Sequence, residues 1–162
     1  MERTAIPPFS VFLEEHRSLV YRFLAATVGR DGADDCFQET FLSALRAYPR
    51  LRPESNLRAW VMTIATNKAM DHGRRVRRSA VPVADVPERA APAAEGDGTD
   101  PEVWAAVREL PPLQRAAVVH RYVLDLPYAE VAEAIGTSEE AARANAYEGR
   151  KKLRAALGGH ER

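Results

Sequence analysis

Between Tyr128 and Leu153 the chain has few ways to fold. The run Tyr128-Ala-Glu-Val-Ala-Glu-Ala-Ile-Gly-Thr-Ser138 reads as a short helix, a tight turn and the cap of a longer helix. Val131 and Ile135 give the first helix an apolar stripe. Ala132 lets the second helix approach, Gly136 supplies the backbone freedom of the turn, and Ala142 packs back without a clash. Ser138 suits an N-cap, and Glu139 and Glu140 complement the positive end of the dipole behind it. This spacing predicts a helix-turn-helix. Its second helix carries Arg143, Asn145, Tyr147, Arg150, Lys151 and Lys152, side chains suited to base edges and phosphates. A plain helical hairpin, ending in Gly and restarting on Ser, is the alternative at this point.

Charge qualifies that reading. The chain of 162 residues balances 23 Lys and Arg against 23 Asp and Glu, which on its face disfavours a nucleic-acid partner. The distribution is uneven, however. Residues 1–78 hold thirteen basic against nine acidic side chains, and residues 79–102 hold one against six. Local clustering decides phosphate binding, so a neutral total excludes nothing. The single Cys36 has no disulfide partner in the chain and no metal-ligand spacing around it. It reads as a small buried apolar residue. With no signal-like N-terminus and no apolar run of ~18 residues, a cytoplasmic protein without membrane insertion is expected. No Gly-rich phosphate loop, metal cluster, Ser/His/Asp or Cys/His pairing is apparent. The expectation is a non-enzyme with no cofactor, metal site or catalytic residue.

Earlier in the chain the apolar positions also recur at helical spacing. Phe9, Phe12, Leu13, Leu19, Val20, Phe23 and Leu24 predict a helix to about Val28, with Gly29 as its C-cap and His16 packed or capping at the stripe's edge. A second helix is expected from Asp31 to Ala47, burying Cys36, Phe37, Thr40, Phe41, Ala44, Leu45 and Tyr48. Asp34, Asp35, Gln38 and Glu39 form an exposed acidic-polar patch on it. The patch either just favours the dipole or docks a partner protein. After a loop, Ser55 or Asn56 caps a third helix from about Leu57 to Arg78, with Leu57, Trp60, Val61, Ile64 and Ala65 facing the core. Its second half turns basic, and Asn67, Asp71, Arg74 and Arg78 share one face. Such a charge run is either a solvated face or a binder of several phosphates.

Residues 79–100 are rich in Pro and Ala and net acidic, which predicts a flexible linker. Beyond it, helices are expected over Val103–Leu110 and Leu113–Leu124 before the helix-turn-helix. No run reads as a strand. The fold expected is all-α: two small helical domains, residues 1–78 and 101–162, joined by the linker over 79–100, with the helix-turn-helix in the second.

Four motifs in this order resemble one family. Ala33-Asp-Asp-Cys-Phe-Gln-Glu-Thr-Phe41 is similar to the A-E-D-x-x-Q-E-T-F pattern of region 2.2 in the extracytoplasmic-function (ECF) sigma factors of the sigma-70 family. Leu57-Arg-Ala-Trp-Val-Met-Thr-Ile-Ala-Thr-Asn67 with Asp71 resembles the F-R-x-W-L-x-x-I-A-x-N-x-x-x-D run of regions 2.3 and 2.4. Leu110-Pro-Pro-Leu-Gln-Arg115 and Leu126-Pro-Tyr-Ala-Glu-Val-Ala-Glu-Ala-Ile-Gly-Thr-Ser138 resemble the opening and the helix-turn-helix of region 4.

The resemblance implies a subunit that binds core RNA polymerase, recognises promoter DNA and helps open it, with an anti-sigma factor as a further partner of the class. It implies that Asp34, Asp35, Gln38 and Glu39 dock on the polymerase. It places Pro53, Glu54, Ser55 and Asn56 in the loop that captures a flipped minus-ten base. Asn67, Lys68, Asp71, Arg74, Arg75, Arg77 and Arg78 would line the minus-ten DNA. Ser138, Arg143, Asn145, Tyr147, Arg150 and Lys151 would meet the minus-35 element. Asn145 stands where the family usually has a basic residue, and Ala144 and Ala146 leave that helix lighter than usual. Trp60 is followed by Val61, so the paired-Trp wedge of housekeeping sigma factors is absent. The rival readings are a stand-alone helix-turn-helix repressor or activator, for which the acidic patch would be idle, and a decoy that binds only an anti-sigma protein.

Overall fold

The computed structural model describes residues 5–79 and 100–158, and every regular element in them is helical. Helix α1 (Phe9–Ala47) is bent back on itself at Gly29, whose φ of 79° and ψ of 168° lie outside helical space. A side chain is strained at such a φ, and Gly supplies it freely. The two expected helices are therefore the two arms of α1. A 3-10 turn (Tyr48–Arg50) and a loop lead to α2 (Leu57–Ser79), whose N-cap is Asn56: its Oδ1 accepts from the Ala59 amide at 3.1 Å. The described C-terminal part begins at Asp100, which caps α3 (Pro101–Glu109) through the Glu102 amide. Helices α4 (Pro112–Val118), α5 (Tyr128–Ile135) and α6 (Glu139–Leu157) follow. Residues 80–99, most of the expected linker, lie outside the described residues, as do residues 1–4 and 159–162.

In the N-terminal unit the arms of α1 and α2 enclose Phe12, Val20, Leu24, Cys36, Ala44, Val61 and Ala65, all without exposed area. Phe12 lies at the centre of an aromatic group, 5.2 Å from Tyr48 and 5.7 Å from Trp60 between ring centroids. Trp60 is half-buried within it. Tyr48 donates its hydroxyl to the Pro7 carbonyl, which ties the segment before α1 to the 3-10 turn. His16 bonds the Phe12 carbonyl through Nδ1 at 2.8 Å and packs its ring on Phe12 at 4.8 Å between centroids. One expected core position is overturned: Leu45 is 49% exposed, beyond the edge of the face that Cys36, Phe41 and Ala44 bury.

The C-terminal unit packs α4, α5 and α6 around Ala117, Val119, Val131, Ala142 and Ala146. Gly149 lets α6 run close to α4: a Cβ there would stand 2.6 Å from Val118 Cγ2 and 3.2 Å from the Gln114 carbonyl. The helix expected to reach Leu124 widens instead into a π-helical turn over Val119–Val123. That turn places His120 fully buried between the units, stacked on Phe23 of α1 at 4.3 Å between centroids. The units thus meet along a seam formed by α1 and α2 with α3, α5 and the π turn, and Arg115 of α4 reaches the Thr27 carbonyl across it at 3.1 Å. On α2 the buried Ala59, Met62 and Thr66 line this seam, a second buried face that the apolar stripe did not reveal.

Candidate functional site

Asp34, Asp35 and Gln38 stand exposed on the second arm of α1. Glu39 is half-buried because its carboxylate meets Arg75 of α2 at 3.5 Å. Asp71, Arg74 and Arg78 complete a shallow polar basin around that pair, with Arg74 bonded to Asp71 at 3.2 Å. The acidic patch and the basic end of α2 are therefore one continuous surface. Ion pairs this exposed contribute only about 0–1 kcal/mol, so Arg74 and Arg75 are free to exchange them for phosphate. Asn67 is also exposed and Lys68 half-buried on α2. Arg77 is set apart from this basin. It lines a cavity of about 280 Å³ between the units with Arg108 and Arg115. Beneath the patch, burial first and then the Glu39 charge push the Cys36 thiol up to about 11, so it is an inert core group.

The loop before α2 turns at Pro53 and Glu54, both exposed, and closes with the Ser55 amide on the Arg52 carbonyl at 3.0 Å. Asn56 is doubly engaged. While Oδ1 caps α2, Nδ2 donates to Glu130 Oε1 of α5 at 2.9 Å. Arg58 joins it, with Nε on Oε2 and Nη2 on Oε1, each at 2.9 Å. This is a fork-to-fork pairing, the strongest form of an Arg–carboxylate contact. Burial pushes the Glu130 carboxyl up, but the hydrogen bonds from Arg58 and Asn56 outweigh it and hold the group below its ordinary range. Further along α2, Thr63 reaches the Glu133 carbonyl at 3.4 Å and Thr66 meets His120 at 2.8 Å.

The His120 contact fixes its tautomer. Thr66 gives its hydroxyl proton to the Met62 carbonyl at 2.6 Å, so it accepts from His120 Nε2–H. Nδ1 then carries a lone pair and has no partner in its buried position. Burial accordingly lowers the His120 pKa to about 3.

On the helix-turn-helix, Gly136 ends α5 in the left-handed region at φ 70°, and Ser138 Oγ accepts from the Ala141 amide at 3.1 Å. Helix α6 turns Arg143, Tyr147, Arg150 and Lys151 to solvent, Tyr147 by 63%. The Arg143 guanidinium lies 4.4 Å over the Tyr128 ring, and Arg121 lies 4.8 Å from the same ring. Cation–π contacts of this kind hold a flexible side chain in one place. Asn145 is half-buried, and its amide donates to the Ala141 carbonyl at 2.9 Å, so part of its bonding capacity is spent within the helix. Ala146 is fully buried against the core, so only Ala144 lightens the outer face.

Arg58, His120, Tyr128 and Glu130 did not stand out as functional positions in the sequence. A histidine directly after the apolar run Ala116–Val119 was a signal that something meets it. The carboxylate of Glu130 beside the apolar Val131 gave a weaker one. Among the described residues there is no His/Cys/Asp/Glu cluster that could hold a metal ion, and no helix is long and apolar enough to cross a membrane.

Two family models match the chain in order: Sigma-70 region 2 over residues 12–79, and Sigma-70, region 4 over residues 101–153. The RNA polymerase sigma factor CarQ of Myxococcus xanthus is 37% identical, covering 93% of this chain and 89% of its own length. The ECF RNA polymerase sigma factor SigC of Mycobacterium tuberculosis is 34% identical, covering 77% of this chain and 70% of its own. The fold is that of the sigma factor RpoE solved with the anti-sigma factor NepR from Bartonella quintana. That match has a TM-score of 0.75 at 24% identity and covers 95% of this chain and 98% of RpoE.

Proposed function

The chain belongs to the ECF class of the sigma-70 family of RNA polymerase sigma factors, and we infer from this how its exposed surfaces are used. It is a non-enzymatic initiation factor that binds core RNA polymerase and directs promoter-specific transcription. In our reading residues 1–78 act as region 2, residues 79–100 connect, and residues 101–162 act as region 4. Asp34, Asp35, Gln38 and Glu39 dock on the polymerase. The Pro53–Asn56 loop and the α2 basin take the minus-ten element. Ser138, Arg143, Asn145, Tyr147, Arg150 and Lys151 take the minus-35 element. One observation carries the assignment: the acidic patch abuts a basin of arginines held only by exposed ion pairs on one unit, while the other presents a recognition helix with its basic side chains in water. The setting is cytoplasmic, and an anti-sigma partner belongs to this reading because RpoE was solved with one.

Transcription in vitro with purified core polymerase tests the function. Core plus this chain should start at discrete sites in a genomic promoter pool. Footprinting by the chain alone with no start site would favour the repressor reading. Asp35→Arg tests the docking patch, since Asp35 is exposed and its reversal disturbs no contact. Core binding should fall at least tenfold with the helical signal unchanged; binding at the wild-type level would remove Asp35 from the surface.

A further inference from the structure

We propose that Asn56 and Arg58 form a binding fork for a phosphodiester of single-stranded promoter DNA, and that Glu130 of the helix-turn-helix occupies this fork in the free protein. The inference rests on the reading of the Asn56 loop as part of the minus-ten surface and adds Arg58 to it. It also assigns the seam between the units the role of a competitive mask.

The geometry is that of an anion site already filled. Nε and Nη2 of Arg58 and Nδ2 of Asn56 converge on one carboxylate, all at 2.9 Å. The two non-bridging oxygens of a phosphodiester have the spacing and charge to replace the two oxygens of Glu130. The fork is partly open: the Arg58 side chain keeps 46% of its exposure, whereas Glu130 keeps 11%. An incoming strand therefore reaches the guanidinium from the solvent side while the carboxylate still lies on the other.

The rest of the seam is built to part. Its hydrogen-bonding groups are Arg22, the Thr27 carbonyl, Asn56, Arg58, Thr63 and Thr66 on one side, and Arg115, the Val123 carbonyl, Glu130, the Glu133 carbonyl and His120 on the other. Each finds water when separated, as interfaces between mobile domains require. The recognition helix α6 takes no part in these contacts, and Arg143, Tyr147, Arg150 and Lys151 stay in water. The mask thus covers the entrance to the minus-ten surface and leaves the minus-35 surface free.

The test uses the full chain and four variants: E130A, E130Q, R58A and E130A/R58A. Small-angle scattering reads the separation of the units. Fluorescence anisotropy with a labelled random-sequence 12-nucleotide single strand reads the fork, and circular dichroism confirms folding. E130A should enlarge the radius of gyration and tighten strand binding about tenfold. E130Q, which keeps the shape but loses the charge, should move both readings the same way by less. R58A should also open the chain yet bind the strand no better than wild type, and the double variant should match R58A. An E130A chain that opens without binding more tightly would overturn the proposal, as would one that stays closed. R58A binding as tightly as E130A would also overturn it, because the seam would then act only by bulk. A strand with methylphosphonate at every linkage should lose the E130A gain; an undiminished gain with that strand would exclude the phosphodiester. Promoter-directed transcription by the wild-type holoenzyme is the control for the parent reading. If it fails, the minus-ten assignment falls; if it succeeds while E130A behaves as wild type, only the mask falls.

Discussion

His120 shows how much one side chain decides at the junction. With Nε2–H on Thr66 and a bare Nδ1, a second proton would have neither water nor an acceptor. In the unfolded chain the same imidazole takes up a proton below about pH 6.5, whereas in the fold it does so only near pH 3. Between these limits the unfolded chain holds the extra proton, so stability falls as the pH drops. The loss should be about 1.2 kcal/mol at pH 5.5 relative to pH 7, from a slope of at most ~1.4 kcal/mol per pH unit. Glu130 acts in the same direction, but only as the pH falls through the ordinary carboxylate range near pH 4.3 and below. Denaturant melts at pH 7 and 5.5 separate the two: His120→Leu should abolish the difference between them. An undiminished slope in that variant would place the titrating group elsewhere.

Among the elements, α6 is positioned by neighbours outside its own sequence. Tyr128 lies between Arg121 and Arg143, and Arg150 lies 5.5 Å over Tyr122. Two basic side chains of the recognition helix are thereby held on aromatic rings before DNA arrives. Arg143→Ala should weaken the minus-35 footprint of the holoenzyme about tenfold. Tyr128→Leu, which leaves Arg143 present but unsupported, should weaken it about two- to fivefold, the equivalent of a cation–π contact of roughly 0.5–1 kcal/mol. Asn145→Ala should cost less than Arg143→Ala, since its amide already serves the Ala141 carbonyl. Equal losses for Asn145 and Arg143 would reverse this ranking.

The elements were legible in the sequence wherever their cause is local. Gly29, Asn56, Gly136 and Ser138 each end or start a helix through their own φ or their own side chain, and each does so in the structure. The π turn at Val119–Val123 was not legible, because its helical spacing is ordinary and its buried histidine meets Phe23 and Thr66 from the other unit. Arg58 and Glu130 are 72 positions apart, and neither has a local reason to be noticed. Ala146 was misread for a different reason: it was taken with Ala144 from the comparison with the family, although it follows the packed Ala142 by four and precedes Gly149 by three, which puts it on the buried face of α6.

At the scale of the molecule, the proposed reading puts two DNA-binding units on one chain, where each raises the other's local concentration and strengthens its binding. The same tether raises the local concentration of Glu130 at Arg58. Closure and promoter engagement are therefore competing uses of one proximity. The surface assigned to polymerase lies on the acidic arm of α1, whereas the seam runs along α2 and α5. The closed chain thus still offers Asp34, Asp35 and Gln38 to the polymerase.

The half-exposure of Arg58 also sets the kinetic order of activation. If the guanidinium were sealed, the units would first have to separate spontaneously, and the rate would level off as DNA concentration rises, whatever the strand. With one edge of the fork already in solvent, the strand enters before the carboxylate leaves. Exchange is then associative, and its rate climbs in proportion to the DNA presented. Opening is thereby timed by the promoter rather than by the protein's own fluctuations.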